Sequence, residues 1–151
     1  MNEAEFCLRA VQANALVPAH ANEVWCPATA FVGSDADQVV ITFDQGVPVA
    51  IDGETVTMLQ AVQELNWRVG GRHQPGARTL IAAHRKLEAV TIEPDLLAFK
   101  RRIERRWAEL VEDGQWAAPL REALDAFITT SQEQVTGEVR LDLRDRLSPA
   151  A

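Results

Sequence analysis

The chain has 151 residues, 47% hydrophobic and 25% charged, with eight glycines and seven prolines, which excludes collagen-like, low-complexity and disordered chains and fits a single domain. Fifteen basic residues against twenty-two acidic ones leave a net charge of −7, which disfavours nucleic acid as a partner, because polyanion binding needs surplus cations to release counterions. No apolar run reaches the roughly 18 residues of a membrane-spanning helix, the acidic opening Met1-Asn2-Glu3-Ala4-Glu5 is unlike a secretory leader, and two cysteines cannot build a disulfide scaffold, so a soluble cytoplasmic protein without a membrane partner is expected.

In chain order, Phe6, Ala10, Ala13, Leu16 and Val17 repeat at a weak helical spacing that stops at Pro18. Residues 21–36 carry Pro27, Gly33, Ser34 and Asp35 and read as irregular connection. Gln38 to Phe43 is β-branched and apolar, and Val47 to Ile51 is a second strand ended by Asp52-Gly53. Asp44-Gln45-Gly46 between them predicts a hairpin with a three-residue loop. Pro48 removes a ladder donor, so the second strand belongs at a sheet edge or pairs through its other side. Thr57 and Gln60 form a capping-box pair ahead of Leu59, Val62, Leu65 and Val69, a helix broken at Gly70-Gly71. Leu80, Ile81, His84 and Leu87 mark the next helix. Glu93-Pro94-Asp95 opens another, with Leu96, Phe99, Ile103, Trp107 and Leu110 as its apolar stripe and Asp113-Gly114 as its stop. A further helix follows Pro119, with Leu120, Leu124, Phe127, Ile128 and Val135 on one face, and Glu138 to Leu143 alternates as a half-buried strand. The expected class is α+β: a small antiparallel sheet, from the hairpin 38–52 and strand 138–143, packed on about four helices.

These residues carry a family resemblance. Phe43-Asp44-Gln45-Gly46-Val47-Pro48-Val49-Ala50-Ile51-Asp52-Gly53-Glu54 resembles a signature stretch in the C-terminal synthetase domain of argininosuccinate synthase. Leu59 to Asn66, Pro75-Gly76, Ala82-Ala83-His84-Arg85 and Leu87-Glu88 look like the helices that follow it there. Trp107 to Gly114, Trp116, Pro119 to Leu124, Ala126-Phe127-Ile128 and Thr136 to Arg140 continue the likeness in order. It spans roughly Val39 to Leu143, so residues 1–35 read as a divergent N-terminal segment and 36–151 as a truncated domain of this kind. The family joins citrulline to aspartate with ATP, whose phosphates sit on a Ser-Gly-Gly-Leu-Asp-Thr-Ser loop that this sequence lacks. A strand bearing a citrulline-holding Glu, and a following Tyr, should precede Pro75; only Trp67 to Gln74 fills that interval, and the chain has no Tyr. The resemblance therefore implies no autonomous ATP-dependent ligase, no cofactor, and no C-terminal oligomerisation arm.

Two places retain candidate chemistry. His84 lies on the apolar face of its helix and is the candidate catalytic acid or base near neutral pH, against the reading of a satisfied core histidine. Trp67, Arg68, Arg72, His73 and Arg78 are the candidate binding residues for an anionic small molecule, where the substrate strand is missing, against a polar loop that repairs the gap. Asp44 and Asp52 are assigned to turns, and Cys7, His20, Cys26 and His73 fit no metal spacing. Ten basic and four acidic residues lie between Arg68 and Arg106, and this asymmetry favours self-association or an anionic small molecule, against the reading of a solvated helix face. The expected function is a dimerising binding or interaction module for an anionic metabolite or a partner protein such as a full-length synthase. The alternative is an ATP-independent enzyme of specialised metabolism, a cyclase or isomerase using a pocket near His84.

Overall fold

A computed structural model describes residues 2–16, 38–70 and 75–143. Among these, α1 (Glu3–Gln12) is followed by β1 (Gln38–Asp44), β2 (Val47–Ile51) and β3 (Glu54–Thr55). Then come α2 (Met58–Val69), α3 (Pro75–Thr91), α4 (Pro94–Glu112), α5 (Pro119–Ser131) and β4 (Gly137–Asp142). The sheet order is β3-β2-β1-β4 with every pair antiparallel. Val39, Ile41 and Phe43 of β1 and Val139 and Leu141 of β4 are buried while their neighbours are not, so the sheet buries one face. The class is α+β, as the sequence implies.

The hairpins are tighter than the sequence reading has them. Asp44 pairs directly with Val47, which leaves the two-residue loop Gln45-Gly46, with φ of 49° and 79°. Asp52-Gly53 repeats this at 50° and 83°, and Ile51 pairs with Glu54 across it. Two positive-φ residues give a turn whose twist matches that of the strands, and the second such turn creates β3, which the sequence reading omits. β2 is not an edge strand, since it lies between β1 and β3, and Pro48 meets the second of its two expected placements, paired through its other side with Phe43. β3 pairs only with Ala50 and Ile51, so the level of Pro48 stays open on that side, and a register shift at Thr42/Phe43 accommodates it.

α2 begins with the expected box: Thr57 Oγ1 accepts from Gln60 N, and Gln60 Oε1 accepts from Thr57 N. α2 and α3 approach closely at Gly76, whose N–H donates to Asn66 Oδ1 at 2.7 Å. A Cβ on Gly76 would meet the Val62 carbonyl oxygen at 2.5 Å, so only glycine fits there.

The apolar stripe of α4 is turned from its expected position. Trp107 and Leu110 are buried, but Leu96 and Phe99 are exposed, and the inward positions of the first turns are Lys100 and Glu104. α1, assigned by sequence to a separate divergent segment, packs into the same core through Phe6, Cys7, Ala10 and Val11. Its ends are well formed. Asn2 and Glu5 make a capping box. At the other end Ala15 N donates to Ala10 O and Asn14 N to Val11 O, a Schellman closure with Asn14 in the left-handed position at φ 50°.

Candidate functional site

Of the five residues read as a binding set, the structure brings two together. Trp67 and Arg68, from the last turn of α2, line an open groove of about 630 Å³ with Glu54, Val56, Gln63 and Glu64. Arg78 is exposed on the first turns of α3 and is not among the lining residues. Arg72 and His73 lie outside the described residues, as do His20 and Cys26.

The groove's charge differs from the expected cationic lining. Arg68 donates through NH1 to Asp52 and through Nε to Glu64 Oε1, the latter at 2.7 Å. Asp52 in turn accepts from Val40 N at 2.9 Å. Burial raises the Asp52 pKa, yet the Arg68 hydrogen bond and charge and the Val40 N–H together hold it below the usual carboxylate range. Arg68 is thus committed to two carboxylates, of which Glu64 lines the groove together with Glu54. An anion entering here meets net negative charge. Asp52 serves its turn and β1, which fits its assignment to turn chemistry.

His84 is elsewhere. It is fully buried on the third turn of α3, 5.9 Å from the Phe43 ring between centroids. Its Nδ1 lies 2.8 Å from Asn14 Oδ1 and its Nε2 2.5 Å from Gln132 Oε1. Both amides are pinned from behind. Asn14 Nδ2 donates to Glu88 Oε1 at 2.7 Å and Glu104 Oε1 at 2.6 Å, and Gln132 Nε2 donates to Glu88 Oε2 at 3.0 Å. Lys100 Nζ completes the cluster, reaching Gln12 O, Glu104 Oε1 at 2.6 Å and Glu88 Oε2 at 2.8 Å, while Arg101 bridges Glu88 and Glu104 from the rim. Gly46 fits tightly against Gln132, because a Cβ there would overlap its Oε1 at 2.2 Å.

Two cations and two carboxylates balance in this cluster, so a third positive charge on His84 is unfavourable in a medium without water. Burial pulls the His84 pKa down to about 4, with Lys100 and Arg101 adding to that and Glu88 opposing it. Glu88 moves down to about 2: burial raises it, but His84, Lys100 and the donors from Lys100 and Gln132 outweigh burial. Each ring nitrogen faces an amide oxygen, and a neutral ring donates its one N–H to one of the two; with no exposed surface the ring gives a substrate no approach. Sequence reasoning missed Asn14, Glu88, Lys100, Glu104 and Gln132. The available signal was spacing, since Glu88 is at i+4 from His84 and Glu104 at i+4 from Lys100.

Other candidate chemistry is quiet. Burial, with the nearby Glu3 carboxylate, pushes the Cys7 thiol up to about 12, which leaves it unreactive at neutral pH. Among the described residues no group of three metal-ligating side chains forms, and no helix is long and apolar enough to cross a membrane.

The family model of the argininosuccinate synthase C-terminal domain matches residues 18–74 and 70–145. The match begins inside the segment read as divergent, and its two pieces meet at 70–74, in the interval where the resemblance places a missing strand. With nearly the whole described body under that match, and α1 added ahead of it, this chain belongs to the argininosuccinate synthase C-terminal domain family.

Proposed function

We propose that this chain works as a self-associating interaction module built on the synthase C-terminal scaffold, with the outer face of α4 and α5 as its contact surface. The observation that carries this reading is the rotated stripe of α4. Leu96 and Phe99 are 38% and 49% exposed, and Leu120 of α5 is 43% exposed. Phe99 stacks edge-on against Phe127, with ring centroids 5.4 Å apart, so the two helices present one apolar ridge. Leu96 and Phe99 are spaced i, i+3 on α4, and Leu120 and Phe127 i, i+7 on α5, which keeps each pair on one side of its helix.

The rim is charged with opposite signs. Exposed Arg102 and Arg105 on α4 make no ion pair among the described residues, and exposed Glu122 and Glu133 lie on and just after α5. In a two-fold pairing, α4 of one copy lies against α5 of the other and sets arginines opposite glutamates. A second copy is therefore the occupant this face suits. The anionic metabolite is less well served, because Arg68 already faces Asp52 and Glu64. The catalytic alternative needs His84 within reach of substrate, and His84 is enclosed.

Sedimentation equilibrium tests the reading. The native protein should fit a dimer, and Leu96→Glu with Phe99→Glu should fit a monomer with unchanged circular dichroism. A native protein that stays monomeric at every concentration tested, or a variant that still dimerises, removes this reading.

A further inference from the structure

Asn66 Nδ2 is the one buried side-chain polar atom without a hydrogen-bond partner among the described residues, and Asn66 as a whole is only 6% exposed. The orientation of its amide is fixed. Gly76 N–H donates to Asn66 Oδ1 at 2.7 Å, so Nδ2 is the arm left over, with two N–H bonds that meet no acceptor. Buried donors in folded proteins are almost always paired, because an unpaired one loses its bonds to water and gains nothing in exchange. An orphan donor of this kind calls for an acceptor from outside the chain.

The position of the orphan says which acceptor. We propose that Asn66 Nδ2 and the first turn of α3 together bind a small oxyanion, a phosphate or a carboxylate. Pro75 has no N–H, Gly76 N–H goes to Asn66 Oδ1, and Ala77 N–H has no carbonyl of the helix to donate to. The seventeen residues of α3 set the positive end of the helix dipole at this turn, and Pro75-Gly76-Ala77-Arg78 supplies no carboxylate to meet it. Arg78, exposed on the same turn, adds a full positive charge to that end. An ammonium has no lone pair for these donors. A water accepts from them but gains nothing from the dipole or from Arg78, whereas an oxyanion gains from all three. The donors are also held in place, since a Cβ on Gly76 would meet the Val62 carbonyl oxygen at 2.5 Å, so the amide of α2 stays against the end of α3. Half-buried Pro75 and exposed Arg78 mark the side from which a small ion arrives. Asn66 and Ala77 do not line the groove beside Trp67, so this site is separate from the one where Arg68 already faces two carboxylates, and it goes beyond the self-association reading.

Inorganic phosphate and acetate, titrated separately into the native protein at constant ionic strength against chloride, test the site. At least one of them should raise the thermal unfolding midpoint in a saturable way, and should move the Asn66 side-chain amide and Ala77 backbone amide resonances along the same binding curve. A response to phosphate alone assigns the ligand to phosphate chemistry, and a response to acetate alone assigns it to carboxylates. Asn66→Asp keeps an acceptor for Gly76 N–H but replaces Nδ2 with an oxygen that repels an anion, so N66D should lose the saturable shift. No saturable response to either anion, resonances of Asn66 and Ala77 that stay still, or an equal response in N66D overturns the proposal and leaves Nδ2 to a buried water. The resonance titration needs only the native protein, so it decides the question even where N66D does not accumulate folded.

Discussion

Lys100 shows how a single residue inverts a helix face. Its ammonium is fully buried, with Glu88, Glu104 and the Gln12 carbonyl as partners. Removing water from such a group is tolerable only with near-complete pairing. Lys100→Met fills much of the volume but leaves two buried carboxylates short of a cation, with Arg101 alone facing them. Breaking one partner of a buried pair costs about 3–5 kcal/mol, and urea unfolding of K100M should show a loss of that order. Glu122→Gln, exposed and with no ion pair among the described residues, should change the same midpoint little. Recovery of most of the loss when Glu88 and Glu104 are also replaced by Gln would show that the uncompensated carboxylates cause it.

At the level of elements, local chemistry was readable and tertiary rotation was not. The Thr57–Gln60 box, the Pro94 and Pro119 starts and the Asp113-Gly114 stop of α4 each appear where the residues place them, because caps and turns depend on neighbours in sequence. The stripe of α4 failed because apolarity alone points to Leu96 and Phe99, while the structure buries Lys100 and Glu104 one position away. One compensating charge, Glu88, sits on α3, and the closing amides on Asn14 and Gln132 are 70 and 48 residues from His84. Separations of that size leave no periodic trace. The groove was half legible: Trp67 and Arg68 line it, but the carboxylates that neutralise Arg68 arrive from the β2–β3 turn and from α2 itself. The α2–α3 contact gives the element-scale prediction. Gly76→Ala places a methyl against a backbone carbonyl and the Asn66 amide, neither of which gives way easily. Overpacking of this kind costs about 1–3 kcal/mol, and the variant should unfold at correspondingly lower urea, without change in its helical signal before the transition.

Across the whole molecule the buried cluster links folding to pH, and its sign follows from both titrating members. His84 binds its proton at about 4 in the folded state, below its ordinary value of 6.5. Between those values the unfolded chain takes up a proton that the folded chain does not, so stability falls as pH drops from 6.5 towards 4. Glu88 is lowered from 4.5 to about 2, so its contribution is present above 4.5 and is lost as pH falls towards 2. The two losses are not additive, because the attraction between Glu88 and His84 enters both. A tenfold difference in proton affinity between the folded and unfolded chain is worth about 1.4 kcal/mol, so the fall from pH 7 to pH 4 should be on the order of 3 kcal/mol. His84→Gln should flatten the curve between 6.5 and 4 and leave the steeper loss below 4. The geometry makes this a sharp measurement, since two carbonyl oxygens face the ring and a ring charged at neutral pH donates to both. Such a ring would reverse the slope, so that stability rises on acidification from pH 7 to 6. Urea midpoints across that interval, native against H84Q, separate a core held by a neutral imidazole from one that depends on a buried cation.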